Sequence, residues 1–492
     1  MPDRPFDLRT LDRLFEPRSI ALIGASATPG KWGLFILHNL LKDGYAGRVY
    51  PVGRKGTRVL GTEFHGSVDE IGGEIDLALV AVPPAAVLEE IDRCIRRGVK
   101  VIYVITGGFS ETGEEGRAME ERIAQISRET GVPILGPNGQ GILNAGISLC
   151  AQMFFTMPPK GRISLATQSG NVGVALSNLS YHSGVGMSKI VSTGNAACVD
   201  LADVVAYFST DAGTDVILVY VEGTREGRRL VASIREAAAR KPVIVMKAGN
   251  SASGSRAAVS HSSAMASDAR VFVDACRGAG AITAGSFVEM WDAACILAGQ
   301  PPLRGRRVGI LTLGGGLGVI TTDLAAEAGF EVPPLPAVLM EKLNGILTPR
   351  WSHGNPIDLA AGEGPTTVVD TLGLMAEHGG FDGIIFVGFG ETGIARHMIE
   401  IGAFGRVSPV REICEALRAI EHAIQARALE ILRERKMPLI GIAEAAYLAR
   451  EIQDSAIARH AREGFITFPT PERGVRALGH LFDHCSRREA RR

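Results

Sequence analysis

From residue 19 the chain alternates short apolar runs with longer amphipathic stretches. SIALIGAS is followed by WGLFILHNLLKDG, GRVYPVG, IDLALVAVP, AVLEEIDRCIRRG, VKVIYVITGGF, a charged stretch of helical period ending at Thr130, and VPILGPN. Continuous apolar strands, each followed by an amphipathic helix, predict a parallel sheet covered on both faces. This first unit is expected to be Rossmann-like and to end near Cys150, giving a domain over residues 1–157. MPPKGR (157–162) reads as a connector, and RISLATQSGNVGVAL opens a second alternation with strands at SKIVST, VILVYVE and PVIVMKA, giving a domain over 158–300. After GQPPLRGRR, a third strand, glycine turn and helix begins at RVGILTLGGGLGVITTDLAAEAG, with later strands at FDGIIFVGFG and MPLIGIA, giving a domain over 301–492. The fold class is therefore α/β. From Val410 to Lys436 the period is helical, with Ile413, Leu417, Ile420 and Ile424 on one face that is expected to pack on a sheet or a partner subunit.

Composition narrows the function. Hydrophobic residues make up 46% of 492 positions, ample for several cores, and 60 glycines suit many strand-to-helix turns. Lysine plus arginine (52) nearly balances aspartate plus glutamate (53), so no broad basic surface is available for nucleic acid or anionic membrane. The charged N-terminus has no signal-peptide core and no apolar run reaches about 18 residues, which reads as a soluble cytoplasmic protein. The seven cysteines are scattered without CxxC spacing, and reduced, buried thiols are expected. The final SRREARR reads as a solvated tail.

Five places could carry chemistry. The turn from Gly24 through Ser26 to Gly30 aims backbone N–H groups at whatever lies above it, which suits a phosphate, although its spacing is not the full dinucleotide fingerprint. The second strand ends in Arg54 and Lys55 where an NAD site would place a carboxylate, so CoA or NADP is favoured over NAD, with an exposed basic turn as the plain alternative. Thr167-Gln168-Ser169-Gly170 is a second strand-to-helix turn able to hold a phosphate or to be a simple tight turn. Glu222 ends a strand at the edge where parallel sheets build their sites; it could orient an imidazole or cap a helix. Finally, KAGNSASGSRAAVSHSSAMASDARVFVDACRGAG (247–280) surrounds a single histidine, His261, with small residues that leave its ring uncovered.

That last stretch resembles the phosphohistidine loop of the NDP-forming acyl-CoA synthetases, of the ADP-forming acetate-CoA ligase alpha-subunit type, in the superfamily of the succinate-CoA ligase alpha subunit. The family pattern Ser-His-Thr-Gly, Leu-Ala-Gly and Gln-Ala-Gly stands here as Ser260-His261-Ser262-Ser263, Met265-Ala266-Ser267 and Gly278-Ala279-Gly280. Two family glycines are thus Ser263 and Ser267. IGAS, YPV, AVP (81–83), GGFSETG (107–113) and LGPNGQG (135–141) resemble the family's CoA-binding domain, with Gly139 where the family usually has cysteine. The resemblance covers residues 10–485. It implies a Rossmann-like CoA-binding domain followed by two flavodoxin-like domains of succinyl-CoA synthetase type.

By that match Gly24, Ser26, Lys31, Lys55, Val82, Pro83, Thr106, Gly107 and Asn138 are expected to line the CoA path. Gln168, Ser169 and Gly170, with Gly194 and Asn195 of the Ser-Thr-Gly-Asn loop, are expected to cradle a phosphoryl group. His261 would be the nucleophile and Glu222 its orienting partner, with no metal in this chain. Leu313-Gly314-Gly315-Gly316-Leu317-Gly318 is similar to the family's Asn-Ala-Gly-Gly-Pro-Gly turn without its Asn, and Asn355-Pro356-Ile357-Asp358-Leu359 keeps the Asn-Pro-x-Asp-Leu motif; the turn is expected to be structural.

No ATP-grasp domain is read in the chain. The resemblance therefore implies an alpha-type ligase subunit that takes CoA and a small carboxylic acid and meets a separate ATP-grasp beta subunit holding ATP/ADP with Mg, as a hetero-oligomer. A non-catalytic CoA-binding regulatory or scaffolding subunit and an NADP-dependent oxidoreductase are the alternatives.

Overall fold

A computed structural model describes residues 6–251, 253–254, 269–360, 365–405, 407–448, 450–451 and 455–490. Two compact units are present, residues 1–181 with 186–290, and residues 182–185 with 291–492.

The first unit holds two sheets. Strands β1 (Ser19–Ile23), β2 (Arg48–Val52), β5 (Leu77–Val80), β6 (Val101–Val104) and β7 (Ile134–Leu135) lie in the order β2-β1-β5-β6-β7, all parallel. A small antiparallel hairpin, β3 (Arg58–Val59) with β4 (Thr62–Glu63), follows β2. Every residue of β1, β5 and β6 is buried, which is why these segments read as unbroken apolar runs. The helix Pro84–Arg96 starts on a proline, whose missing N–H costs nothing there, and buries Val87, Ile91 and Cys94 at helical spacing. The helix Glu114–Thr130 stops at Gly131, which takes the left-handed conformation (φ 71°) that ends helices cheaply only without a Cβ.

The second sheet runs β14-β13-β12-β10-β11-β8-β9. Its parallel part is β10 (Lys160–Thr167), β11 (Met187–Ser192), β12 (Val216–Val221), β13 (Val243–Lys247) and β14 (Ile282–Thr283). The hairpin β8 (Gly141–Asn144) and β9 (Leu149–Gln152) pairs antiparallel onto β11, although it precedes the connector at 157–162. Side chains hold it from the other side: Asn39 Nδ2 donates to Gln152 O (2.8 Å) and Asn144 Nδ2 to Phe15 O (2.9 Å). One apolar core consequently runs through both sheets, from Leu22, Leu79 and Tyr103 to Val191, Ile217 and Val245.

The second unit contains β15 (Val308–Thr312), β16 (Ile357–Asp358), β17 (Gly383–Val387), β18 (Leu439–Ile442) and β19 (Thr467–Phe468), in the order β16-β15-β17-β18-β19. Counted from its first parallel strand, this is the order of β11-β10-β12-β13-β14. The helix Ser408–Arg433 confirms the helical period and, of the expected face, buries Ile424 and half-buries Leu417 and Ile420; Ile413 departs from it at 51% exposed, while Cys414, Glu421, Ala428 and Ile431 are buried as well. Arg396, 1% exposed, lies 3.9 Å from Glu421 and binds Glu400 at 2.9 Å, so a charged residue occupies the inward stripe and an isoleucine is left outside. Apolar periodicity alone cannot register such a pair.

All seven cysteines are free, and burial pushes the thiols of Cys94, Cys150 and Cys276 up to about 12, where they are neither nucleophiles nor ligands at neutral pH. Among the described residues no helix is long and apolar enough to cross a membrane.

Candidate active site

In each sheet of the first unit the chain order reverses beside the first parallel strand, between β1 and β5 and between β10 and β12. Loops leaving the carboxyl ends of strands at such a point frame a crevice. Backbones crowd there. A Cβ on Gly24 (φ 96°) would lie 2.4 Å from Ala81 O, and one on Gly33 2.0 Å from Gly24 O, so only glycine lets the turn lie against the next loop and the helix start.

Seven of the residues flagged for CoA sit on this edge: Gly24 and Ser26 after β1, Val82 and Pro83 after β5, Thr106 and Gly107 after β6, and Asn138 after β7. Ser26 Oγ accepts the Thr28 N–H (3.0 Å), and Thr106 Oγ1 donates to Val82 O (2.6 Å), tying two of these loops. Lys31 stands at the N-cap position of the helix Trp32–Lys42 without a capping bond from its side chain and is exposed; Lys55, after β2, is also exposed and pairs with Glu70 at 2.9 Å, a solvent-screened contact that an anion can displace. Gly139 has a local reason: a Cβ there would lie 2.4 Å from the hydroxyl of buried Tyr103. That hydroxyl donates to Ser192 O (2.5 Å) and accepts the Gly141 N–H (2.8 Å), joining β6 to β8 and β11.

The second crevice is a cavity of about 400 Å³. Asn138, Gln168, Ser169, Gly170, Gly194, Asn195 and Glu222 all line it; Gly24, Ser26, Lys31, Lys55, Val82, Pro83, Thr106 and Gly107 do not. Thr167 Oγ1 donates to Ser169 O (2.8 Å) and accepts the Ser169 N–H (3.0 Å), a local turn that sets the start of the helix Gly170–Ser183, where unpaired N–H groups favour an anion. Gly194 (φ 55°) is pressed on by the neighbouring loop, since a Cβ would lie 2.2 Å from Pro137 O. Glu222 is half-buried and does not stand at the start of the helix that follows it, Gly227–Ala238, whose N-cap position is Glu226.

Two flagged amides are occupied within the protein. Gln168 Oε1 accepts the N–H groups of Glu222 (2.6 Å) and Gly223 (3.1 Å), and its Nε2 donates to Gly223 O (2.7 Å). Asn195 Nδ2 donates to Glu111 Oε2 (2.7 Å) and Glu120 Oε2 (2.9 Å), and its Oδ1 accepts from Asn138 Nδ2 (3.3 Å). The loop at 193–195 is thereby bonded to the GGFSETG loop.

Burial raises the Glu111 pKa, but the bonds from Gly108 and Asn195 outweigh it and hold the carboxyl below its usual range, so it stays an acceptor. Sequence reasoning passed over Glu111 and Glu120 as acceptors, and also Arg225, which lines the cavity 3.3 Å from Glu120. It likewise missed Arg229, forked between Asp200 and Asp203; burial and then the Asp203 charge push Asp200 up to about 6. Only the GGFSETG motif hinted at Glu111. His261, with Ser263 and Ser267, lies outside the described residues. Among the described residues no group of three or more His, Cys, Asp or Glu side chains could hold a metal ion.

Three family models match in order, a CoA binding domain over 18–145, a succinyl-CoA ligase-like flavodoxin domain over 160–297 and a Ligase-CoA domain over 308–426. The alpha subunit of an ADP-forming acetate–CoA ligase I of Pyrococcus furiosus is 34% identical over 482 residues, 96% of this chain and 97% of that one. The chain belongs to the ADP-forming acetate–CoA ligase alpha-subunit family. A member from Archaeoglobus fulgidus, ADP-forming acetate–CoA ligase I, is 36% identical over 380 residues, 77% of this chain but 54% of that protein. Among solved structures, a dinucleotide-forming acetyl-coenzyme A synthetase of Ca. Korarchaeum cryptofilum in complex with phosphate and ADP superposes with a TM-score of 0.79 at 28% identity, covering 97% of each chain. The family's CoA-binding and flavodoxin-like domains thus correspond to the two sheets of the first unit, and its members are acid–thiol ligases.

Proposed function

We propose that this chain is the alpha-type subunit of an NDP-forming acyl-CoA synthetase that interconverts carboxylic acid, CoA and ATP with acyl-CoA, ADP and phosphate. In the acyl-CoA-consuming direction a phosphate oxygen attacks the thioester carbonyl; a C–O bond forms, the C–S bond breaks and CoA leaves as the thiolate. The acyl-phosphate then gives its phosphoryl group to a neutral ring nitrogen of His261. The P–N bond forms as the P–O bond breaks, and the carboxylate leaves. Glu222 accepts the other ring N–H, fixing the tautomer and balancing the charge that grows on the imidazole. ADP on a partner subunit finally takes the phosphoryl group and frees the imidazole.

The reading is carried by one observation: the turn at Gln168–Gly170, the loop at Gly194–Asn195 and Glu222 face a single cavity, and that cavity's loop is bonded to the CoA-binding domain through Glu111 and Asn138. An anion there would meet the helix start at Gly170 and Arg225. CoA fits the first crevice, where the Gly24 turn leaves no room for a Cβ, with Lys31 and Lys55 as the cations for its phosphates. A separate ATP-grasp subunit, supplying ATP/ADP and Mg, is supported by relatives named as alpha subunits and by the Archaeoglobus protein of which this chain matches only 54%.

The test is incubation with the cognate ATP-grasp subunit and γ-labelled ATP. Acid-labile label on the wild type and none on His261→Ala is expected. Absence of label from both, or NADP binding tighter than CoA by calorimetry, overturns the reading.

A further inference from the structure

The Glu222–Gly223 dipeptide presents four backbone polar groups at the cavity edge, and two side chains satisfy all of them. Gln168 takes both N–H groups and the Gly223 carbonyl. The Glu222 carbonyl accepts a hydrogen bond from Lys247 Nζ at 2.8 Å. The same ammonium donates to Ala248 O at 2.5 Å.

Lys247 is 5% exposed and is the last residue of β13, beside Val221 in the parallel register. Taking an ammonium out of water costs several kcal/mol unless its partners are well placed, and a methionine would fill the same volume without that cost. Packing therefore does not explain it. Desolvation draws its pKa below the ordinary lysine value, opposed by the Glu222 charge, so the carboxylate of Glu222 is the charged group it answers to.

The third domain supplies an independent comparison. Thr167 pairs with Tyr220 and Tyr220 with Met246, as Thr312 pairs with Val387 and Val387 with Ile442. Counting on from these pairs, Gln168, Glu222 and Lys247 correspond to Leu313, Phe389 and Ala443. Phe389 and Ala443 are buried in an apolar core. All three members of the polar set are apolar in that sheet.

We infer that Lys247 is a positioning residue for phosphoryl transfer: it ties the strand end bearing Glu222 to the strand end that leads through Ala248 into the His261 stretch, and leaves a buried positive charge beneath the cavity. The inference rests on the reading of His261 as the phosphoryl acceptor. Lys247 touches no substrate in this scheme. It acts through Glu222, whose carbonyl it holds, and its charge offsets that of the carboxylate as a further anion arrives.

The test uses the assembled enzyme with labelled phosphate and acyl-CoA, following the rate at which His261 gains label, alongside calorimetric CoA binding. Lys247→Met is expected to slow labelling roughly hundredfold, as misplacing a catalytic group does, with CoA affinity unchanged, and Lys247→Arg to restore most of the rate. Labelling of Lys247→Met at the wild-type rate overturns the inference while leaving the proposed function standing; a wild type that takes no label overturns that function first. Should Lys247→Met lose CoA binding through misfolding, Lys247→Gln replaces it, and an undiminished rate there overturns the inference equally.

Discussion

The turn after β10 and the turn after β15 share a backbone device and differ in what surrounds it. Thr167 closes the first by bonding the N–H and C=O of Ser169; Thr312 closes the second by bonding those of Gly314, at 3.1 and 2.7 Å. Both threonines sit on the first strand of the same five-strand order, and each turn opens a helix. Around the first stand Gln168, Glu222 and Lys247; at the same register around the second stand Leu313, Phe389 and Ala443. A glycine turn at a helix start is therefore a shared scaffold, and on the proposed function the residues on the neighbouring strand ends decide whether it becomes a site.

Exchanging side chains at equivalent positions breaks the comparison most sharply. Glu222→Gln is expected to lower His261 labelling by about 10² or more, the usual scale for losing a group that handles a proton or its charge, while thermal stability changes little. Phe389, its ring tilted against that of Phe465 at 4.3 Å between centroids, predicts the reverse: Phe389→Ala should cost about 3–5 kcal/mol, seen as faster hydrogen exchange in residues 291–490, with CoA binding intact. If Glu222→Gln destabilises as much as Phe389→Ala, the two positions are alike in role and the contrast fails.

The glycines six residues beyond each threonine sharpen it further. A Cβ on Gly173 would sit 3.6 Å from its nearest neighbours, whereas one on Gly318 would sit 2.8 Å from the Thr312 methyl. Gly318→Ala should lose roughly 1–3 kcal/mol through overpacking, and Gly173→Ala should gain up to about 1 kcal/mol from helix propensity. Melting temperatures moving in the same direction would refute this.

The smallest effect is on pH. Burial lowers the pKa of His460, which bonds Gln425 at 2.6 Å, below 6.5, so its contribution to stability is present above pH 6.5 and is lost as pH falls through the lower folded value. Asp200 is raised from 3.8 to about 6, so its contribution is full below pH 3.8 and is lost as pH rises through 6. Between pH 7 and 5, hydrogen exchange should therefore report loosening around His460 and tightening around Asp200. His460→Gln and Asp200→Asn should each flatten one slope, by melting shifts of roughly 2 °C.

Much of this was legible in the chain itself. Apolar runs such as IALI and LALV mark strands because both faces are covered, Gly24 and Gly194 are written where backbones meet, and Gly170 where the Gln140 side chain presses on the turn. The Glu222 strand end and the Gln168 turn were found as motifs, and the structure brings them together. Lys247 was not legible as a partner of Glu222, because that relation exists only through the register of β12 against β13. Glu111 and Glu120 gain meaning only when Asn195 arrives from another sheet. Ile413 misled for the opposite reason: Ile424 of its face is buried, but Ile413 itself lies at the exposed end of that face, and the buried Glu421 beside Arg396 is a charged residue that an apolar pattern does not count inward. The hairpin at 141–152 reads as the close of one domain because its pairing strand lies some forty residues later.

That hairpin has a consequence for how the protein can be divided. The chain leaves the first sheet, stitches itself to the far edge of the second at β11, and only then crosses to β10, with Tyr103 hydroxyl-bonded to both sides of the seam. A cut in the proline-rich connector would carry two strands of one sheet away with the other. The smallest transplantable piece containing the CoA crevice is then the whole stretch through β14, and chimaeras between relatives should exchange it as a block.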